Sequence, residues 1–143
     1  MVLCVIIDVP VAPGKSRYLR MIAVMKEYRA VVIKDHRPEF SEFIEAIAGD
    51  EIEVGREYDK NPDWKNWVWG RHLRTGVSSW IPRQLLTLCS SKKAVFNSAY
   101  SSKELRADKK EEVKVIRELN GWAWCVNKDK EEGWIPLENL ERL

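Results

Sequence analysis

The positions of seven tryptophans impose a repeat on this 143-residue chain. The sequence Trp-Val-Trp-Gly at residues 67–70 is echoed by Trp-Ala-Trp-Cys at residues 122–125. Each is followed, after a turn-rich stretch, by a Trp-Ile-Pro triplet, at residues 80–82 and 134–136. The spacing from first to last Trp is 13 residues in one copy and 12 in the other. A chain that carries one pattern twice is expected to contain two similar folding units.

Blocks upstream of the tryptophans extend this duplication. These blocks keep the same order in both copies. They are an apolar first block at residues 30–36 and 94–100, an aliphatic-x-Ala block at 44–46 and 105–107, and an acidic block that leads into a strand at 50–54 and 111–115. Five blocks repeated in one order make a chance match improbable, so we interpret the chain as an internal duplication.

Both copies have the pattern of β-strands. Ile52-Glu53-Val54 and Val113-Lys114-Val115 alternate apolar and polar residues, as half-buried strands do. Turn formers separate the strands at residues 59–63, 74–76, 120–121 and 127–133, and Asn120-Gly121 is a tight-hairpin signal. About five short strands in each copy predict an all-β protein made of two small five-stranded barrels. We place the barrels at residues 29–89 and 92–143, after an N-terminal extension at 1–28.

Charge and cysteine content exclude several other classes. The net charge of +2 creates no large single-sign field, so nucleic acid and membrane are not expected partners. The three cysteines form no CxxC pair, and His36 and His72 lack partners at ligand spacing, so no metal is predicted. No catalytic or phosphate-binding motif occurs, and we predict neither an enzyme nor a cofactor.

Residues 1–28 stand outside the repeat, and three interpretations of them remain open. Ser16 can cap a short amphipathic helix, residues 2–9 can add a strand to a barrel edge, or translation can begin at Met21 or Met25. Asp8 interrupts the opening apolar run, which argues against a signal peptide and favours a cytoplasmic location.

The order of these blocks over residues 29–143 resembles the Src-homology-3 family, particularly its bacterial variant form. Copy two carries the resemblance most clearly, in the run from Leu105 to Val113, in Asn120-Gly121-Trp122, and in Gly133-Trp134-Ile135-Pro136. Members of the family commonly bind proline-rich peptides in a shallow aromatic groove, because a polyproline II segment costs little entropy to order.

The resemblance implies a groove on each copy. Its residues are Tyr100, Glu104, Trp122, Trp134, Pro136 and Asn139 in copy two, and His36, Trp67, Trp80 and Pro82 in copy one. Glu104 occupies the acidic position that pairs with a basic ligand residue. Trp69 and Trp124 are expected to pack, and Trp64, which has no counterpart in copy two, is expected to lie on the surface or in loop packing.

The leading hypothesis is therefore a non-catalytic module that binds an extended, proline-containing peptide of a protein partner. A rival hypothesis is an assembly module whose rims are packed between domains or subunits. A weaker rival is a small barrel that binds nucleic acid through stacked rings. Burial of Trp67 and Trp122 between the two units would favour the assembly module.

Overall fold

A computed structural model of the chain describes residues 26–143, and the three interpretations of the N-terminal extension lie almost wholly outside them. The described residues form an all-β protein. Its strands are β1 (Tyr28–Val32), β2 (Glu45–Ala46), β3 (Glu51–Glu57), β4 (Trp67–His72), β5 (Ser78–Pro82), β6 (Leu86–Leu88), β7 (Lys93–Phe96), β8 (Tyr100–Ser101), β9 (Glu112–Leu119), β10 (Trp122–Val126), β11 (Glu132–Pro136) and β12 (Leu140–Arg142). Within this part of the chain, no helix is long and apolar enough to cross a membrane.

The same succession of elements occurs in the two halves. In each half, a short 3-10 turn separates the fifth strand from the sixth, at Arg83–Leu85 and at Leu137–Asn139. Both turns begin directly after the proline of a Trp-Ile-Pro triplet, with φ of −62° at Pro82 and −58° at Pro136. The pyrrolidine ring holds φ near these values, which fit the first turn of a helix.

Two five-stranded antiparallel sheets contain most of the strands. We call them sheet A, with the order β5-β4-β3-β7-β6, and sheet B, with the order β11-β10-β9-β1-β12. The predicted all-β class is confirmed at the level of these two sheets, while closure of either sheet into a barrel remains a prediction. A third pairing, between β2 and β8, joins the two halves through Ala46 opposite Tyr100.

The two sheets exchange one strand each. Strand β1, from the first half, lies in sheet B, with Val31 opposite Glu112 and Ala30 opposite Arg142. Strand β7, from the second half, occupies the equivalent place in sheet A, with Val95 opposite Glu51. The predicted boundaries at 29–89 and 92–143 follow the sequence repeat. In the structure, each sheet contains one strand that belongs to the other repeat.

Two hydrophobic cores follow the two sheets. The core of sheet A contains Ile52, Ile81 and Phe96, and it also takes in Tyr100 and Trp134 from the second half. The core of sheet B is built from smaller side chains: Ala30, Val32, Leu105, Ala107, Val113, Val115, Ala123, Cys125 and Ile135. Because the core of sheet A takes in Tyr100 and Trp134, the aromatic residues of both halves are brought to one region.

Candidate functional site: an aromatic cleft shared by the two halves

The tip of the β9–β10 hairpin contacts the first half of the chain. Its tip, Asn120-Gly121, has φ of 49° and 86°, the left-handed conformation that a tight hairpin requires and that this dipeptide tolerates. The Trp67 indole Nε1 donates a hydrogen bond of 3.0 Å to the Asn120 carbonyl oxygen. A Cβ atom at Gly121 would lie 2.7 Å from both the Asp63 carbonyl oxygen and the Trp64 ring. Glycine is therefore required here by backbone conformation and by close approach.

The Asn120 side chain strengthens the same contact. Its Nδ2 donates to the Asn66 carbonyl oxygen at 3.0 Å and to the Gln84 Oε1 at 2.9 Å. The Gln84 Nε2 donates in return to the Asn120 Oδ1. A side-chain amide has both donors and an acceptor, so these bonds fix the tip of the second half on the first half.

An open cleft lies beside this contact, with a volume of about 590 Å³ including space open to solvent. Both halves line it, with the residues Glu39, Phe40, Tyr58, Trp64, Trp67, Ser79, Trp80, Tyr100, Ser102, Glu104, Trp122 and Trp134. The lining is mostly aromatic, which is the composition expected of a site that accepts flat or apolar ligand groups.

The rings of the cleft contact one another across the two halves. The centroid of Trp122 lies 5.1 Å from that of Trp64 and 6.3 Å from that of Trp67. On the first half, Tyr58 meets Trp80 edge to face at 5.1 Å. Edge-to-face and tilted pairs at these distances are favourable, so the rings hold one another in place before any ligand arrives.

Hydrogen bonds from two buried aromatic residues anchor the floor of the cleft. The Tyr100 hydroxyl donates to the Trp80 carbonyl oxygen at 2.9 Å, and the Trp134 Nε1 donates to the Ser101 carbonyl oxygen at 2.7 Å. Burial raises the pKa of Tyr100 far above its ordinary value, so this hydroxyl stays neutral. Tyr100 and Trp134 are 4 % and 2 % exposed, which makes them supports of the cleft more than contact surfaces.

The charged groups of the cleft are carboxylates. Among the described lining residues, Glu39 and Glu104 are charged and none is basic. The Glu104 Oε1 lies 2.9 Å from the His36 Nε2, and the His36 ring meets Trp122 edge to face at 5.6 Å. This contact with the His36 Nε2 holds the Glu104 carboxylate beside the aromatic rings.

Neither a family model, nor a curated protein, nor a solved structure is similar enough to count as a match. The roles of its residues therefore rest on geometry.

The structure brings six of the residues suggested by the family resemblance to one cleft: Trp67, Trp80, Tyr100, Glu104, Trp122 and Trp134. The resemblance implies two separate grooves, whereas these residues from both copies line a single space. Pro82 and Pro136 are buried strand partners of Trp67 and Trp122 and do not line the cleft. Asn139 is buried and donates to the Lys34 and Asp35 carbonyl oxygens, and His36 acts through Glu104.

Sequence reasoning did not assign six of the lining residues to the groove. They are Glu39, Phe40, Tyr58, Trp64, Ser79 and Ser102. Trp64 was expected on the surface or in loop packing; it does lie in a loop, held by the Asn61 turn, and its ring also contacts Trp122 and Tyr58. Trp64 has no counterpart in copy two because β9 and β10 are joined by the two-residue turn Asn120-Gly121, where copy one has a loop between β3 and β4.

Over residues 26–143 no group of His, Cys, Asp and Glu side chains is placed to hold a metal ion. Cys125 is fully buried, and burial raises the pKa of its thiol to about 12. The thiol is therefore protonated at neutral pH and a poor nucleophile.

Proposed function

We propose that this protein is a non-catalytic interaction module whose two Src-homology-3-like repeats bind one extended peptide segment in a shared cleft. The observation that carries the proposal is the aromatic cleft itself, lined by rings from both halves of the chain. A shallow site of this kind is expected to bind with about micromolar to sub-millimolar affinity.

The ligand chemistry follows from what the cleft exposes. Tyr58, Trp64, Trp80 and Trp122 are half-buried and present ring surface, which suits the flat faces of proline rings and the apolar edge of an extended peptide. Glu39 and Glu104 favour a basic residue in the same peptide. Two carboxylates and no lining cation disfavour the phosphates of a nucleic acid.

A second candidate function is an assembly module, and the burial of Trp67 favours it. Trp67 is 6 % exposed and its indole nitrogen is already bonded to Asn120, so this ring joins the two halves. On this alternative, the remaining rings pack against a fixed subunit and no free peptide binds.

Titration of the full chain with peptides separates the two candidates. Proline-containing basic peptides should shift the tryptophan emission with a saturable curve, and Trp64→Ala should weaken the binding at least tenfold. Trp124→Ala is the matched control, since Trp124 is half-buried but does not line the cleft. If no peptide shifts the emission, or if the two variants weaken binding equally, peptide binding in this cleft is wrong.

A further inference from the structure

The N-terminal sequence contains a segment with the chemistry of the ligand that the cleft suits. Residues 9–15 read Val-Pro-Val-Ala-Pro-Gly-Lys, with Pro10 and Pro13 three positions apart. Polyproline II has three residues per turn, so prolines at this spacing would lie on one edge of a segment bound in that conformation. Proline also fixes φ near the polyproline II value, which lowers the entropy lost on binding.

Charge complements this fit. Lys15, Arg17 and Arg20 follow the second proline, and Asp8 is the one acidic residue among residues 1–26. The cleft carries Glu39 and Glu104 among its aromatic lining residues and no basic lining residue. If the prolines pack on the aromatic rings of the cleft, the basic residues that follow them can pair with the carboxylates of Glu39 and Glu104.

The covalent connection is long enough for the segment to reach the cleft. Ten residues separate Lys15 from Lys26, where the described part of the chain begins. Such a tether spans up to about 35 Å when extended, compared with a radius of gyration of about 13 Å for a domain of this size. A tethered ligand acts at an effective concentration of about millimolar.

We propose that residues 9–17 of this chain bind in its own cleft and act as an intramolecular competitor that an outside peptide must displace. This inference rests on the proposed function of the cleft. The expected dissociation constant for a free peptide is lower than the effective concentration of the tethered segment, which is about a millimolar. The segment should therefore occupy most of the clefts.

The test compares three full-length proteins. The first is the natural chain, the second carries Pro10→Ala with Pro13→Ala, and the third is a matched control with Val11→Ala and Gly14→Ala, which changes the same segment on another edge. The probe is a labelled synthetic peptide of residues 8–18, followed by fluorescence anisotropy. The double-proline variant should bind the probe at least threefold more tightly than the natural chain, and about tenfold where the dissociation constant for the free peptide is about 0.1 mM, and the control should resemble the natural chain.

Each other outcome has a distinct meaning. Equal binding of the probe by all three proteins overturns the intramolecular competitor and leaves peptide binding intact. Absence of binding by the double-proline variant overturns this assignment of the segment as ligand, while the peptide titration above still decides the proposed function. If the natural chain sediments as a dimer and the double-proline variant as a monomer, the segment occupies a second copy, and the intramolecular proposal is wrong.

Discussion

His72 shows at the residue scale how polar groups are kept in this small core. Its ring is fully buried, with Nδ1 2.7 Å from the Thr75 Oγ1 and Nε2 2.8 Å from the Asp50 Oδ2. Hydrogen bonds from Arg74 and His72, and from the Ile47 backbone N–H, lower the pKa of Asp50 to about 2. These groups form a partly buried polar anchor at the end of β4.

Removing Asp50 should therefore weaken the fold. Asp50→Ala leaves the buried Nε2–H of His72 without an acceptor and should lower the free energy of unfolding by about 2 kcal/mol. Glu51→Ala is the control, because Glu51 is exposed and its contact with Lys93 is 3.7 Å long; it should change stability by less than about 0.5 kcal/mol. Urea denaturation measures both, and equal effects would contradict the anchoring role.

The contribution of Asp50 to the free energy of unfolding should change with pH in a defined direction. The folded-state pKa of Asp50 lies below its ordinary value of 3.8, so its contribution is present above that value and is lost as pH falls toward 2. The stability difference between the natural chain and Asp50→Ala should therefore shrink between pH 4 and pH 2. A difference that stays constant over this range would show that the Asp50 carboxylate is not the source.

Glu104 is the residue-scale test of ligand charge. Glu104→Gln keeps a group that can contact His36 but removes the negative charge, and it should weaken the binding of a basic peptide about fivefold, the effect of losing roughly 1 kcal/mol from an ion pair with the peptide. Glu112→Gln, on an exposed position of β9, is the control. Calorimetric titration at low salt measures the change; an equal loss in both variants would mean that Glu104 plays no direct part.

At the element scale, the tip of the β9–β10 hairpin adds a contact between the halves to those made by the exchanged strands and the β2–β8 pairing. Gly121→Ala adds both left-handed backbone strain and a clash with Asp63 and Trp64, whereas Gly76→Ala, at φ of 77° with open space around it, adds strain alone. Both should lower the free energy of unfolding by about 1 kcal/mol or more, with the larger loss at Gly121. Thermal unfolding compares them; equal losses would contradict the close contact at the hairpin tip.

The sequence predicted this hairpin but not what it touches. Asn120-Gly121 signals a tight turn because both residues tolerate positive φ, a local property that can be read without the rest of the chain. The contacts of Trp64 and Tyr58 depend on the placement of the opposite half, which no local pattern encodes. Six of the ten suggested site residues reach the cleft, and five of these lie in strands, where alternation fixes the direction of each side chain. Asn139 instead bonds backbone carbonyl oxygens, and the two prolines are buried strand partners of tryptophans.

At the scale of the whole molecule, the exchange of β1 and β7 could not be predicted. Ala30-Val31-Val32 and Ala94-Val95-Phe96 carry nearly the same apolar pattern, so either strand satisfies either sheet locally. The choice between the exchanged and the unexchanged arrangement depends on how the whole molecule packs, and not on the local pattern of either strand. The duplication therefore makes the strands predictable from the sequence. Because the two copies are alike, it does not show which strand pairs within which sheet.

Paired cysteines distinguish the two arrangements. In the exchanged fold Val31 faces Glu112, and in an unexchanged fold it would take the place of Val95 opposite Glu51. Facing strand residues lie within the Cα separation that a disulfide allows. Val31→Cys with Glu112→Cys should therefore crosslink within the chain, and Val31→Cys with Glu51→Cys should not, as mapped by mass spectrometry of proteolytic fragments. Crosslinking of the second pair instead would contradict the exchange.

The stoichiometry of peptide binding tests most directly whether the two halves form one site. Calorimetric titration of a binding peptide into the chain, with Pro10 and Pro13 replaced by Ala to remove the internal competitor, should give one peptide bound per chain. Trp64→Ala in the first half and Trp122→Ala in the second should each weaken that single event. Two peptides per chain, with each substitution removing one of them, would contradict a shared cleft.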